Sequence, residues 1–369
     1  MDFKKCKIVA WGLGHIVLAL LISSCKYSSA PEDQDLLELE RARQYMSAYS
    51  IYQERLPTES AALSFSDPAS LVFSINDTLR SWTNTAASPD YYGRYYYNLK
   101  DLERELGISY RNKRARSPGP TVFFQRLTDS TAYIQILEFQ QTTADEMKAY
   151  VDDAAPFPNL IINMRYNPGG YIDICQELIE LFLYKGRTYL HAEYRREDAG
   201  GNTFSTVEED WSTVNNDIDL EGKKIAVFIN DSSASAAEMM ALALRDGMDP
   251  GRTRIYGQRS YGKAIGQYVF FFYSSSGAGL KLTGFRFTGT SGDDLKDIYH
   301  EVGITPDVLY PKTVSVDSMA ADAIAWLESD SYERGEKASY TMIRDFSRAL
   351  QVPFYPRCVR IVPVFRSGL

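Results

Sequence analysis

The chain is 369 residues long and 44% hydrophobic, which suffices for a full buried core, and its 13% aromatic content excludes a largely disordered protein. Its formal net charge of −8 does not predict a basic surface that would bind phosphate groups, so nucleic acid is not expected as a partner. The histidines and cysteines lack the spacing of metal ligands, and neither a metal nor another cofactor is expected.

The first 24 residues have the pattern of a targeting segment. Lysines at positions 4, 5 and 7 precede an apolar run, Ile8–Ile22, whose length fits the core of a signal peptide and is short for a membrane span. The Ser23-Ser24-Cys25 that follows completes a sequence that resembles a bacterial lipobox. That resemblance implies a lipid on Cys25 and anchoring in the bacterial cell envelope, on the periplasmic side or at the cell surface. The alternative is an ordinary signal peptide, or an uncleaved anchor, with an incidental cysteine.

The next hundred residues are expected to be helical and then irregular. Residues 25–35 are polar and predict a flexible tether, and residues 36–106 carry helical apolar spacing that predicts an N-terminal helical region. Residues 107–130 combine a run of four basic residues at positions 111–116 with Ser117-Pro-Gly-Pro120 and predict an exposed connector. At the other end of the chain, residues 331–369 form a tail to which no element is assigned.

Residues 131–330 alternate between strand and helix patterns, which predicts an α/β core. Thr143-x-x-Glu146 has the pattern of a capping box, and the helix that it begins is expected to end at Ala155. Further elements are predicted as a strand at 160–164, a hairpin of strands at 268–273 and 280–288, and a closing helix at 319–327.

The most informative stretch is Ser233-Ala-Ser-Ala-Ala-Glu238, which lies between an apolar strand, Ile225–Ile229, and a small-residue helix that begins at Ala236. A serine at a sharp turn from strand to helix is expected to project its hydroxyl outward. The next backbone N–H, at the helix N-terminus, points the same way. Acyl transfer needs this geometry, a nucleophile beside an oxyanion donor.

Five motifs in this order resemble those of the C-terminal processing (tail-specific) peptidases, the S41 family of serine proteases, over about residues 131–327. They are Leu160-Ile-Ile-Asn-Met-Arg-Tyr-Asn-Pro-Gly-Gly170, Ser233-Ala-Ser-Ala-Ala-Glu238, Tyr261-Gly-Lys-Ala-Ile-Gly-Gln267, Leu282-Thr283 and Gly303-Ile-Thr-Pro-Asp307. The resemblance implies a ClpP/crotonase-like α/β core and a peptidase that acts on protein or peptide substrates.

By position in these motifs, the resemblance implies that Ser235 is the nucleophile and Lys263 the general base. It implies that Gln267 positions the lysine. The oxyanion hole would consist of the backbone N–H groups of Ala236 and of Gly169 or Gly170. Glu238 is the acidic residue of the serine motif, for which a structural role is expected.

Catalysis by Lys263 requires an uncharged amine, because the pKa of an exposed lysine is about 10.4 and its ammonium accepts no proton at neutral pH. Burial lowers the pKa of a lysine by up to about 3–5 units. The neighbouring residues 262 and 264–266 are uncharged, which favours an apolar pocket, although Arg259 is close in sequence. Taken alone, Ser235 could be a helix N-cap and Lys263 a surface lysine; the five ordered motifs favour catalysis.

The chain departs from the family pattern in three places, one of which is Thr290-Ser291-Gly292 where a Pro-Ser-Gly turn is expected. Asn163 replaces the usual aspartate of the strand before the glycine turn, which alters local pairing and removes no catalytic group. Family members commonly carry a PDZ domain before the core, whereas residues 107–130 are too few to form one, since domains rarely have fewer than about 50 residues. A PDZ-less S41 enzyme is therefore expected.

Two other functions remain open on the sequence. A Ser-His-Asp hydrolase would use His191 or His300, with Asp307 able to orient the latter. A non-catalytic envelope lipoprotein on the same fold would use the tyrosine-rich segment 91–97 to bind peptide or glycan, although packing between helices explains that segment more simply.

Overall fold

A computed structural model of the chain describes residues 31–83, 92–98, 100–102, 119–198, 203–214, 220, 222–272, 277–290 and 303–329. Its helices are α1 (Pro31–Tyr49), α2 (Glu59–Ala62), α3 (Pro68–Thr83), α4 (Thr143–Ala149), α5 (Val151–Ala154), α6 (Ile172–Ile179), α7 (Ala236–Gly247) and α8 (Val316–Leu327). Its strands are β1 (Gly93–Tyr96), β2 (Val122–Arg126), β3 (Thr131–Ile136), β4 (Asn159–Asn163), β5 (Thr188–Glu197), β6 (Phe204–Ser212), β7 (Lys224–Ile229), β8 (Thr253–Gly257), β9 (Ile265–Phe271), β10 (Gly279–Thr288) and β11 (Val308–Leu309).

The first sheet has six strands in the order β11-β8-β7-β4-β3-β2, parallel except for the β2–β3 pair. Its central strands, β4 and β7, are buried at every position because both faces of the sheet are covered. On β4, Leu160 and Ile162 belong to the main core cluster, which also contains apolar residues of α6 and α7, whereas Ile161 packs in the second cluster with α8. The alternation follows from the two-residue period of a strand.

The second sheet is antiparallel, with the order β1-β10-β5-β6 and β9 paired to β10. The predicted hairpin of β9 and β10 is confirmed, with residues 279–286 opposite 265–271. Helix α7 contacts β5 of this sheet and β8 of the first, and nearly all of its residues are buried. The predicted α/β class is confirmed.

Three sequence predictions in the N-terminal third were wrong in part. Helix α1 begins at Pro31 rather than after the predicted tether 25–35, consistent with a proline at the first helical position and acidic residues in the first turn. The region 36–106 contains β1, which pairs with β10 of the core. The connector 107–130 contains β2, which pairs with β3.

The predicted capping box at Thr143 is also wrong. The Thr143 hydroxyl accepts the backbone N–H of Gln140, at 2.8 Å, instead of capping a helix. The Glu146 carboxylate reaches across to the start of β2, where it accepts the backbone N–H groups of Thr121 and Val122. These tertiary bonds replace the local ones, and the helix ends at Ala149 before a separate turn, α5.

Among the helices of the described ranges, none is both long enough and apolar enough to cross a bilayer. The predicted signal peptide at 1–24, the lipidation site Cys25, residues 107–118 of the connector and the tail at 331–369 lie outside the described residues. These expectations stay predictions.

Candidate active site

Ser235, at the start of α7, has a strained backbone and is buried from solvent. Its backbone has φ 57° and ψ −118°, a conformation that residues with a Cβ rarely adopt. The residue is fully buried and is the N-cap of α7; its side chain faces the backbone N–H of Glu238 as in a capping box, but no hydrogen bond of ordinary geometry reaches its Oγ. The expectation of an outward-facing hydroxyl was therefore wrong, because the loops beside α7 enclose it. Backbone strain and an unsatisfied buried hydroxyl each destabilise the fold, and both occur here at one residue.

The turn before Ser235 is held by Asn230 and Ser233. The Asn230 side-chain oxygen accepts the backbone N–H of Tyr166 at 2.8 Å, and the Ser233 hydroxyl donates to the carbonyl of Met164 at 2.8 Å. Because β4 and β7 are adjacent parallel strands, the loops after them meet at one edge of the sheet. Ser233 is thus a buried structural residue that joins these two loops.

The predicted glycine turn, residues 167–170, packs directly on the serine. A Cβ added to Gly169, whose φ is 98°, would lie 2.8 Å from the Ser235 Cβ and 3.0 Å from the backbone nitrogen of Ala236. No other residue fits this position without displacing the serine turn. Buried Asn167 fixes the loop, since its amide donates to the Ile136 carbonyl of β3 at 2.9 Å.

The same asparagine distinguishes the two candidate oxyanion glycines. Its side-chain oxygen accepts the backbone N–H of Gly169 at 2.8 Å, so that N–H is already engaged. Gly170 is therefore the better candidate donor beside Ala236. Its φ of 146° and its close approach to the Phe139 carbonyl require glycine there as well.

Lys263 is half-buried, and its Nζ lies 3.5 Å from the Gln267 side-chain oxygen. Gln267 is buried on β9, directly opposite Thr283 of β10, and its amide nitrogen lies 3.4 Å from the Thr283 hydroxyl. The pairing of Lys263 with Gln267 that the motif implied is present. Lys263 immediately precedes the second sheet, whereas Ser235 follows β7 of the first.

The loop of Lys263 is tied to the serine turn by Glu238. This fully buried carboxylate accepts the backbone N–H groups of Ser235 at 2.9 Å, Gly262 at 2.6 Å and Lys263 at 2.8 Å. It also accepts the hydroxyl of Ser260, whose oxygen in turn accepts the backbone N–H of Ile304 at 2.7 Å. Three of the five sequence motifs therefore meet at one carboxylate.

Burial raises the pKa of Glu238, and the four hydrogen bonds to its carboxylate act in the opposite direction. On the neighbouring helix α6, the buried thiol of Cys175 donates to the Ala236 carbonyl at 3.2 Å. Burial raises the pKa of this thiol well above its usual value. Cys175 lies on the buried face of α6.

Comparison with known proteins shows which family this part of the chain matches. Residues 130–310 match the model of peptidase family S41. This part of the chain is an S41 peptidase domain. The ClpP/crotonase-like α/β core that the resemblance implied is thereby confirmed.

Relatives of the S41 domain include two proteins of Bacillus subtilis. The carboxy-terminal processing protease CtpA is 28% identical over 198 residues, which cover 53% of this chain and 38% of the relative. The carboxy-terminal processing protease CtpB is 29% identical over 206 residues, which cover 54% of this chain and 39% of the relative. The chain thus spans about two fifths of the length of these curated relatives.

A solved structure of a lipoprotein from Streptococcus agalactiae shares the fold. It aligns with a TM-score of 0.53 and 18% identity, over 84% of this chain and 99% of that one. The likeness extends beyond residues 130–310 and therefore includes part of the N-terminal region packed on the S41 domain.

Some residues of the site were missed from the sequence. Asn167 and Thr283 lay inside quoted motifs, but no pattern indicated what their side chains bind. Asn163, singled out as a departure, donates from its amide to the Tyr133 hydroxyl at 2.6 Å and accepts the backbone N–H of Arg165 at 3.0 Å. An aspartate would have no N–H to donate to Tyr133.

Of the alternative site residues, the two that the structure describes, His191 and Asp307, are bonded to other groups. The His191 side chain is 46% exposed and pairs with Asp210 across the β5–β6 hairpin, whereas Ser235 is closed to solvent. Asp307 accepts the backbone N–H of Ile255 at 2.7 Å, and His300 lies outside the described residues. In the part of the chain that the structure describes, no group of three or more histidine, cysteine, aspartate or glutamate residues is placed to hold a metal.

The tyrosine-rich segment does not form an open surface in its described part. Tyr92, Tyr95 and Tyr96 are buried, while Tyr97 is exposed. The segment packs as strand β1 against α3 and β10 rather than between helices as predicted.

Proposed function

We propose that the protein is an envelope-anchored serine endopeptidase in which Ser235 and Lys263 form a catalytic dyad. The observation that supports this best is the combination at Ser235 of a strained backbone and a buried hydroxyl without a partner, next to a helix N-terminus. Features that destabilise a fold persist where function requires them. The S41 match and the names of the relatives support peptide bonds as the substrate.

In this proposal the Ser235 hydroxyl attacks the carbonyl carbon of the scissile peptide bond, and the neutral amine of Lys263 takes its proton. Gln267 holds the amine through its side-chain oxygen, and Thr283 orients that amide. The negative oxygen of the tetrahedral intermediate is stabilised by the N–H groups of Ala236 and Gly170, with the N-terminus of α7 adding a favourable field.

Collapse of the intermediate breaks the carbon–nitrogen bond. The ammonium of Lys263 returns its proton to the leaving amine, and the acyl group remains on Ser235. A water molecule then attacks the ester, again with Lys263 as base, and releases the carboxylic acid and the free serine. Each proton taken up by the lysine is returned within its half of the reaction.

The proposed location rests on the lipobox-like sequence that ends at Cys25. Lipidation at this cysteine would anchor the enzyme in the bacterial envelope. Mass spectrometry of the membrane-extracted protein tests this: a diacylglyceryl N-terminal cysteine is expected, and a free or absent Cys25 would contradict it.

The mechanism is tested by hydrolysis of an unfolded protein, such as casein, by the wild type, Ser235→Ala and Lys263→Ala between pH 6 and 10. We expect the loss of at least about 10³-fold in kcat in both variants, and an increase of wild-type activity with pH that Lys263→Ala lacks. Thermal denaturation confirms that each variant is folded. Full activity of Ser235→Ala would eliminate the mechanism, and activity of Lys263→Ala that depends on His191 would favour the hydrolase with a histidine.

A further inference from the structure

Two exposed tyrosines adjoin the loops of the proposed dyad. Tyr166 is 46% exposed and directly precedes the glycine turn at 167–170. Tyr261 is 39% exposed and directly precedes Gly262 and Lys263. Neither ring is part of the hydrophobic core, and neither has a role in the mechanism above.

Tyr166 has an unfavourable backbone conformation. Its φ is 63°, in the left-handed region that glycine and asparagine adopt most readily and that is an outlier for a bulky side chain. The conformation is enforced on both sides: its own N–H donates to Asn230, and the N–H of Asn167 closes the turn on the Met164 carbonyl at 3.1 Å. A strained aromatic residue that contributes no core packing indicates a functional requirement for the ring.

Both tyrosines are fixed to the same short turn, residues 230–233, that leads into Ser235. Tyr166 donates its N–H to the Asn230 side chain at 2.8 Å, and Tyr261 donates its N–H to the Ser233 carbonyl at 2.9 Å. The guanidinium of Arg165 lies 5.4 Å from the centre of the Tyr166 ring, a cation–π contact that orients the ring. The two backbones therefore flank the serine turn in a fixed arrangement.

We infer that Tyr166 and Tyr261 together bind an apolar side chain of an extended polypeptide near the scissile bond. This inference rests on the proposed peptidase function, and it names a substrate class, polypeptides with large apolar residues at the cleavage region. Tyrosine rings suit this role because they offer a large apolar face and lose little conformational freedom on binding. The glycine turn that follows Tyr166 packs on Ser235, and the lysine loop that follows Tyr261 is bonded to Glu238, so both rings lie on segments that adjoin the proposed site.

The test measures binding separately from cleavage. Two fluorescein-labelled decapeptides of alanine and serine differ only at the central pair, Phe-Leu in one and Ser-Ser in the other. Their affinity for the Ser235→Ala protein is measured by fluorescence polarisation. We expect the Phe-Leu peptide to bind at least about tenfold more tightly, and Tyr166→Asn or Tyr261→Ser, each added to Ser235→Ala, to remove about tenfold of its affinity without changing that of the Ser-Ser peptide.

Tyr166→Asn keeps a residue that tolerates the left-handed conformation, so the variant is expected to fold with equal or higher stability. Tyr184→Ser is the matched control, because Tyr184 is equally exposed, at 43%, and follows α6 away from both loops. Equal binding of the two peptides, or unchanged binding in both tyrosine variants, would overturn the inference. If the wild type bound the Phe-Leu peptide through the tyrosines but never cleaved it, the binding site would be supported. Only the peptidase proposal would then be contradicted.

Discussion

The carboxylate of Glu238 accepts the backbone N–H of Lys263 at 2.8 Å, although Glu238 lies on α7 and Lys263 lies in the loop between β8 and β9. The same carboxylate oxygen accepts the N–H of Ser235 at 2.9 Å. One buried group therefore sets the distance between the proposed nucleophile and the loop of its base. Four donors converge on this side chain, which makes its substitution informative.

We expect Glu238→Gln to destabilise the protein and to reduce kcat. Each carboxylate oxygen accepts at least one backbone N–H, so the amide NH₂ of glutamine must face an N–H in either orientation. Leaving buried donors unpaired costs about 1–3 kcal/mol per group. Urea denaturation measures the stability, and turnover at saturating substrate measures kcat. An equally stable and active variant would show that the carboxylate does not hold the two loops.

Gly169→Ala is expected to lower both stability and activity, the former by about 1–3 kcal/mol. The added methyl group meets Ser235 and Ala236 at 3.0 Å or less, and the φ of 98° is itself strained for alanine. Gly186→Ala is the control, since its φ of 79° gives similar strain but its Cβ meets no atom within 4 Å. The two variants should lose comparable stability from strain, while only Gly169→Ala loses activity; equal activity in both would contradict the packing argument.

Gln267→Glu is expected to move the alkaline rise in activity to higher pH and to lower activity at neutral pH. A carboxylate in place of the amide oxygen, 3.5 Å from Nζ, favours the charged ammonium over the neutral amine. Gln267→Met, without charge or hydrogen bond, should lower kcat with no shift toward higher pH. The pH–rate profiles of the three proteins test this, and coincident profiles for wild type and Gln267→Glu would contradict it.

The stability of the domain should fall at acid pH through Glu146. Burial raises the pKa of this carboxyl, but the hydrogen bonds from Thr142, Thr121 and Val122 together lower it by more. The pKa therefore lies below the ordinary value of 4.5. Its stabilising contribution is complete above that ordinary value and is lost as pH falls through the lowered pKa. Denaturation midpoints of wild type and Glu146→Gln should therefore converge below about pH 4. A constant difference at all pH values would refute this role.

The site was predictable where a motif fixes residue types at a fixed spacing. Lys263 and Gln267 are four residues apart, and their side chains meet although a strand begins between them. The burial of Ser235 was not predictable, because it depends on how the loop at Gly169 packs over a turn that is far away in sequence.

The missed strands have a related cause. Strand β1 pairs with β10, which is far away in sequence, and the sequence of the tyrosine-rich segment is equally compatible with packing between helices. The capping box failed because Glu146 found partners on β2 that local sequence does not reveal. The local sequence identified α7 and α8, since the pattern of each helix is contained within one short window.

Ser235 is attached to the parallel sheet and Lys263 to the antiparallel one, with α7 between them. A displacement that moved Lys263 away from Ser235 by about 1 Å would reduce catalysis by about 100-fold, but it would have to stretch or break the hydrogen bonds from Gly262 and Lys263 to Glu238. Any rearrangement of one sheet against the other would therefore change the alignment of the proposed dyad only at the expense of bonds to this single buried side chain.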